Sequence, residues 1–213
     1  RIYGLTKGQY SPTSEIGKKA KSTPFGSIDR PFSPLALALG AGATFIARSV
    51  DVMQPHLKTT LKRVASHKGT AFTEILQNCN IFNDGAWEAI TEKDVRDDRV
   101  LFLEHGKPLV FGKNKSQGIR QNGFDIEVVT LGEGGSEADL LVHNEQHPSP
   151  AYAYMLASMD SRPGFPTPVG VLRAVDAPIY EDSVNDQVKQ IIAKKGRGDL
   201  GKLLRGPETW EIK

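Results

Sequence analysis

Apolar residues settle into a regular rhythm only from Pro34 onward. Before that, Gly4, Gly8, Pro12, Gly17, Pro24 and Gly26 break every helical or strand period across residues 1–30. An irregular stretch of that length predicts a segment that wraps a ligand or packs on a partner. Pro34–Gly40 then reads Pro-Leu-Ala-Leu-Ala-Leu-Gly, a short buried helix opened by Pro and closed by Gly. Residues 44–48 predict a strand. Within 55–67, Leu57, Leu61, Val64 and Ala65 recur at helical spacing. Lys58, Lys62 and Arg63 take the other face, and Gly69 closes the helix. Residues 70–76, partly apolar and β-branched, predict a second strand. Strand, helix and strand in that order predict a right-handed β-α-β crossover in a parallel sheet.

The pattern is weaker downstream. Residues 82–90 suggest a helical turn, and 94–99 a charged, exposed loop. Short strands at 100–104 and 109–111 flank Gly106-Lys107-Pro108 and predict a small antiparallel insertion. Residues 125–131 predict another strand, and 132–136 a flexible turn ahead of 139–142. A helix over 149–158 carries Tyr152, Tyr154 and Met155, and a strand follows over 168–175. In 184–194, Val184, Val188, Ile191 and Ile192 share one face of an amphipathic helix. Residues 196–206 read as a basic, Gly-rich arm. The middle of the chain predicts a core, and both ends predict extensions that need something to pack on.

Composition narrows the class. The 213 residues suffice for one sizeable core or two small ones. A net charge of +2 supplies no sequence-wide field for nucleic acid or an anionic membrane, and Lys18, Lys19 and Lys21 read as a solvated face. No apolar run approaches a membrane span, and no secretory signal is recognisable. The chain opens on Arg1 rather than Met and is expected to be a fragment, with part of its site upstream. Cys79 is the one cysteine, which excludes an internal disulfide and points to a reducing cytoplasm. It is either inert or completed by ligands from elsewhere.

Three groups of residues could carry chemistry. In Tyr3-Gly4-Leu5-Thr6-Lys7-Gly8-Gln9, two glycines frame a hydroxyl and a cation, a pattern that suits a phosphate. It is not a Walker A loop, and spacing alone favours a surface turn. Cys79 lies just past the carboxyl end of the second strand, where open α/β sheets place their sites. By default such a residue is a small buried hydrophobe. His143 and His147 flank Glu145 at a spacing that could bind Zn²⁺ on a helix. The prolines at 148 and 150 and the strand-like run before them favour a capping or surface role. Asp139, His143 and Ser149 lack a nucleophile elbow, and Gly132, Gly134 and Gly135 have the wrong spacing for a dinucleotide loop.

Residues 2–14, Ile-Tyr-Gly-Leu-Thr-Lys-Gly-Gln-Tyr-Ser-Pro-Thr-Ser, resemble the end of the thiamine-diphosphate motif in the β subunits of 2-oxoacid:ferredoxin oxidoreductases. Arg1 would be the motif's variable position. Leu76-Gln77-Asn78-Cys79-Asn80-Ile81-Phe82-Asn83 is similar to the family's cluster-ligand element, with Asn78 where Pro is common. Segments 24–26, 34–48, 104–112, 141–145 and 166–173 also match, so the resemblance runs from Ile2 to about Tyr180.

The resemblance implies an α/β thiamine-diphosphate-binding fold, a parallel sheet flanked by helices. Residues 1–180 would be the C-terminal part of that domain and 181–213 a helical extension. Ile2, Tyr3, Gly4, Leu5 and Thr6 would bind thiamine diphosphate, with Ile2 giving a backbone carbonyl to Mg²⁺. Leu5 and Lys7 would face the substrate and coenzyme A. Cys79 would be the fourth ligand of a [4Fe–4S] cluster. No catalytic side chain is expected in this chain, because the activating glutamate would lie on the α subunit. The implied reaction is oxidative decarboxylation of a 2-oxoacid to an acyl-coenzyme A, with electrons passing to ferredoxin in the cytoplasm. Ser11-Pro12-Thr13-Ser14 and the 34–48 stretch look most like the 2-oxoglutarate branch. The alternatives are a pyruvate or branched-chain 2-oxoacid enzyme, or a non-catalytic scaffold with the same fold.

Overall fold

The computed structural model describes residues 2–208 together with Trp210 and Ile212. Arg1 lies outside the described residues. The chain opens on a small antiparallel ribbon, β1 (Ile2–Tyr3) against β2 (Gln9–Tyr10), with Ile2 opposite Tyr10 and Tyr3 opposite Gln9. The following residues stay irregular and are held by turn bonds. Ser14 Oγ accepts from the Ser11 N–H at 2.9 Å, and Ser27 Oγ donates to the Glu15 carbonyl at 2.6 Å.

Helix α1 (Pro34–Gly40) begins where the Ser33 hydroxyl accepts from the Ala36 N–H, and Pro34 sits where no donor is needed. Strand β3 (Phe45–Val50), helix α2 (Gln54–Ser66) and strand β4 (Ala71–Leu76) form the expected β-α-β unit. The two strands run parallel in register from Phe45 opposite Ala71 to Val50 opposite Leu76. Gly69 closes the connection at φ +126, where a Cβ would collide with the Thr44 hydroxyl.

The remainder departs from the sequence reading in several places. Residues 94–99, expected as a loop, lie in helix α4 (Lys93–Arg99), which follows the short helix α3 (Glu88–Thr91). Two bonds from beyond the helix hold that segment: Gly112 N–H to the Asp97 carbonyl at 2.7 Å, and Lys113 N–H to Asp98 Oδ1 at 2.8 Å. Strand β5 (Val100–Leu103) does not pair with its neighbour in sequence, β6 (Val110–Phe111). Instead β6 joins β7 (Gln117–Asn122) and β8 (Asp125–Thr130) in an antiparallel three-stranded sheet. After helix α5 (Ala151–Ala157), strand β9 (Thr167–Ala174) enters the main sheet between β3 and β5. It runs antiparallel to β3 and parallel to β5, so the sheet, ordered β4-β3-β9-β5, is mixed rather than all-parallel. The whole of β3 is buried, the mark of a strand covered on both faces.

Residues of β3 point alternately to the two faces. Ile46 packs with Leu35 and Leu39 of α1, Leu156 of α5, Leu101 and Leu172, and this cluster extends to Phe111, Ile119 and Ile126 of the small sheet. Phe45 and Ala47 pack the other way, with Val171 and with Val64 of α2. At the carboxyl end of β3 and β4, Val50, Leu76, Ile90, Val100 and Val169 close the core under Met53 and Trp87.

The chain divides into two compact units, Arg1–Ala177 and Pro178–Lys213. The second contains α6 (Tyr180–Lys195) and α7 (Leu200–Arg205), neither with a buried residue. The expected basic arm is partly helical, because the Asp199 carboxylate caps α7 by accepting from the Lys202 N–H at 3.0 Å. Among the described residues, no helix is long and apolar enough to cross a membrane.

Candidate functional site

The β1–β2 ribbon holds the glycine-framed motif in a tight turn. The Lys7 N–H donates to the Gly4 carbonyl at 3.0 Å and the Gly8 N–H to the Tyr3 carbonyl at 2.7 Å. Closing the turn puts Lys7 at φ 71 and Gly8 at φ 96, both left-handed. The strained lysine marks a backbone shape the turn itself imposes. Tyr3, Gly4, Leu5, Thr6 and Lys7 are all exposed, and Leu5 is 98% exposed at the tip. The Thr6 hydroxyl bonds to Gln9 Oε1 across the turn.

Cys79 follows β4, as the sequence indicated. It is a free, half-buried thiol in a loop that curls back on itself: the Asn83 N–H donates to the Cys79 carbonyl at 2.9 Å. The nearby backbone N–H groups, first of Phe82 and then of Ile81, push its pKa down. Trp87 Nε1 donates to the Gln77 carbonyl at 3.0 Å, and Asn78 Nδ2 to Asp84 Oδ1 at 2.7 Å, which pins both sides of the loop. A thiol ringed by backbone donors favours the thiolate, the form that ligates metal. A single thiolate donor is chemically compatible with an iron–sulfur ligand. Among the described residues, no three His, Cys, Asp or Glu side chains gather as a metal site.

Ile2 and Cys79 line one cavity of about 720 Å³, together with Asn83 and Trp87. Its floor is the α1- and α5-covered face of the sheet. There Arg48 of β3, 2% exposed, bonds through Nε to Glu74 Oε2 at 2.6 Å and through Nη2 to Asp160 Oδ2 at 2.8 Å. Its Nη1 is buried with no protein partner, as is Asn83 Oδ1 beside Cys79.

The structure thus brings Ile2 and Cys79 to one cavity, while Leu5, Thr6 and Lys7 stand out on the exposed tip of the turn. Sequence reasoning assigned no role to Phe82, whose ring lies against both motif glycines. A Cβ on Gly8 would sit 3.1 Å from Phe82 Cδ1, and one on Gly4 3.9 Å from Cδ2. Nor did it single out Arg48. The one available signal was a basic residue inside a largely apolar strand.

The histidines are engaged structurally. His143 is 1% exposed. Its Nε2 lies 2.8 Å from the Val171 carbonyl, which can only accept, so Nε2 carries the proton and Nδ1 accepts from the Tyr152 hydroxyl at 3.0 Å. Burial pushes the His143 pKa down and that of Tyr152 up to about 12. His147 Nδ1 bonds to Ser149 backbone atoms.

Residues 1–75 match the family model described as thiamine pyrophosphate enzyme, C-terminal TPP binding domain. The α/β fold is that of this domain, with the sheet mixed as described. Along all of its length the chain is 43% identical to the 2-oxoglutarate oxidoreductase subunit KorB of Mycobacterium tuberculosis, of which it spans 57%. About half of the chain, 48%, is 43% identical to a 2-oxoacid:ferredoxin oxidoreductase subunit beta of Saccharolobus solfataricus, covering 32% of that protein. A solved 2-oxoglutarate:ferredoxin oxidoreductase from Magnetococcus marinus, with 2-oxoglutarate, coenzyme A and succinyl-CoA bound, superposes with a TM-score of 0.61 at 24% identity. That match covers 98% of this chain and 55% of the other.

Proposed function

We propose that this chain, similar along its whole length to a 2-oxoglutarate oxidoreductase subunit and over about half of it to a 2-oxoacid:ferredoxin oxidoreductase β subunit, serves as the cofactor- and cluster-bearing part of such a subunit. Residues 1–180 are the C-terminal part of the thiamine-diphosphate domain and 181–213 an extension. The reaction is conversion of 2-oxoglutarate and coenzyme A to succinyl-CoA and carbon dioxide, with two electrons passing to ferredoxin. The observation that carries this reading is the shared cavity of Ile2 and Cys79, in a chain so similar throughout to a 2-oxoglutarate oxidoreductase subunit. The site is completed by an α subunit, and the setting is a reducing cytoplasm, where a lone free thiol persists.

Thiamine diphosphate, when bound, supplies the electron sink for decarboxylation. This chain's residues hold it in place. Gly4, without a side chain, lets the backbone come close to a diphosphate, and Tyr3 and Thr6 flank that approach. Ile2 offers its carbonyl to Mg²⁺, a hard cation that takes oxygen ligands. Exposed Leu5 and Lys7 give an apolar contact and a positive charge to the substrate and coenzyme A side. Cys79, as a thiolate, would be a ligand of the [4Fe–4S] cluster, which would carry the electrons onward.

The test is anaerobic ferredoxin reduction by the full-length complex, supplied with coenzyme A and 2-oxoglutarate, pyruvate or a branched-chain 2-oxoacid in turn. The expected result is the highest kcat/KM with 2-oxoglutarate. Preference for another 2-oxoacid would move the chain to that branch. No reduction with any of them would leave a scaffold subunit.

A further inference from the structure

Phe82 touches both halves of the site. Its ring lies on the turn, with Cδ1, Cε1 and Cγ at 3.1, 3.8 and 3.9 Å from where a Gly8 Cβ would be, and Cδ2 at 3.9 Å from a Gly4 Cβ. Both edges of one ring are therefore in use, one against each glycine. A side chain at Gly8 would have to displace the ring, since 3.1 Å is closer than carbon atoms pack without strain. The Phe82 backbone, meanwhile, belongs to the loop that closes around Cys79, where the Asn83 N–H bonds to the Cys79 carbonyl at 2.9 Å. That loop is pinned on both sides, by the bonds of Trp87 to Gln77 and of Asn78 to Asp84. Neither segment has much freedom: the turn is fixed by two backbone bonds and two left-handed residues.

We infer that Phe82 is a positioning residue that locks the 3–8 turn to the Cys79 loop, so that the two move as one body. Its importance for catalysis rests on the reading that the turn meets thiamine diphosphate and that Cys79 ligates a cluster. Electron passage between two such groups depends on a fixed separation, and Phe82 is the side chain that spans from one support to the other. The absence of a side chain at Gly8 then has a second cause beside its left-handed backbone, because the ring crowds that space, whereas at Gly4 a Cβ would make only ordinary contact with the ring.

The coupling is testable without either cofactor by hydrogen–deuterium exchange of the full-length protein. Phe82→Ala should speed exchange of the amides in 3–8 and in 81–83 together, by roughly tenfold, since both segments lose a packed support. Gly8→Ala, placed in the turn, should speed exchange at 81–83. Phe82→Tyr keeps the ring and should restore wild-type rates at both. Helices α2 and α5 should be unchanged in all three, which separates the effect from general unfolding. If Phe82→Ala loosens only one segment, or Gly8→Ala leaves 81–83 untouched, the inference is overturned. In the anaerobic holo-complex the same variants should change the cluster's electron paramagnetic resonance line shape together with thiamine diphosphate affinity, with Phe82→Tyr restoring both. A wild-type complex without a cluster would overturn the functional reading, while the exchange data would still decide the coupling.

Discussion

Arg63 and Glu145, 82 residues apart in the chain, form a two-pronged ion pair, with Nη1 to Oε2 at 3.0 Å and Nη2 to Oε1 at 2.7 Å. The pair fastens α2 to the segment that leads into α5. The Glu145 main chain extends the link, since its carbonyl accepts from the Ala174 N–H at the end of β9 at 2.7 Å. The Glu145 side chain is 9% exposed and that of Arg63 41%, so truncation of the arginine leaves a nearly buried carboxylate behind. Arg63→Ala should cost about 2 kcal/mol, less than loss of a fully buried pair because Arg63 is partly wet. Arg63→Lys should recover only part, as a single ammonium does not match two carboxylate oxygens. Urea denaturation of both variants checks this.

The buried His143 makes stability depend on pH. Its ring is neutral in the folded protein, donating to Val171 and accepting from Tyr152, and burial holds its pKa below the usual 6.5. Burial also lowers the pKa of His56 and, more exposed, His67. Groups of this kind cost nothing above about pH 6.5, where folded and unfolded chains are both neutral. As pH falls below that value the unfolded chain takes up the proton first, and stability declines until the folded rings protonate too. Thermal melting should therefore show a falling Tm between pH 7.5 and 5.5. His143→Gln, which retains a donor for the Val171 carbonyl, should flatten the slope.

Arg48 sits between two carboxylates, Glu74 on β4 and Asp160 beyond α5, on the face that floors the cavity. Removing the guanidinium leaves two largely desolvated like charges. Arg48→Met should destabilise the protein by about 3–5 kcal/mol, the range for breaking a buried pair from one side. Adding Glu74→Gln should return part of the loss, and denaturant midpoints of the single and double variants measure the coupling.

What could be read from sequence was what is encoded locally. The span from Pro34 to Leu76 carries its own signals, a Pro and a Gly around α1 and the spacing of Leu57, Leu61 and Val64 in α2, and the structure follows them closely. Strand β7 was not legible. Across Gln117–Asn122, only Ile119 is a large apolar residue. Its strand is set by pairing with β8 and by Leu140, whose side chain fills the space above Gly118. The pairing of β5 with β9 was equally hidden, because Leu101 meets Pro168 far along the chain and no local pattern names that partner. In the site, the turn and Cys79 were legible as motifs. The Phe82 contact that joins them was not, since it depends on how the ribbon folds over the loop after β4.

In the proposed function, Cys79 is a cluster ligand in a thiamine-dependent oxidoreductase. The most direct test is electron paramagnetic resonance of the dithionite-reduced, anaerobically purified full-length complex, paired with iron and acid-labile sulfide assays. The expected result is a [4Fe–4S] signal that is lost in Cys79→Ala, along with electron transfer to ferredoxin, while decarboxylation partly persists. An unchanged signal and full ferredoxin reduction in Cys79→Ala would contradict it.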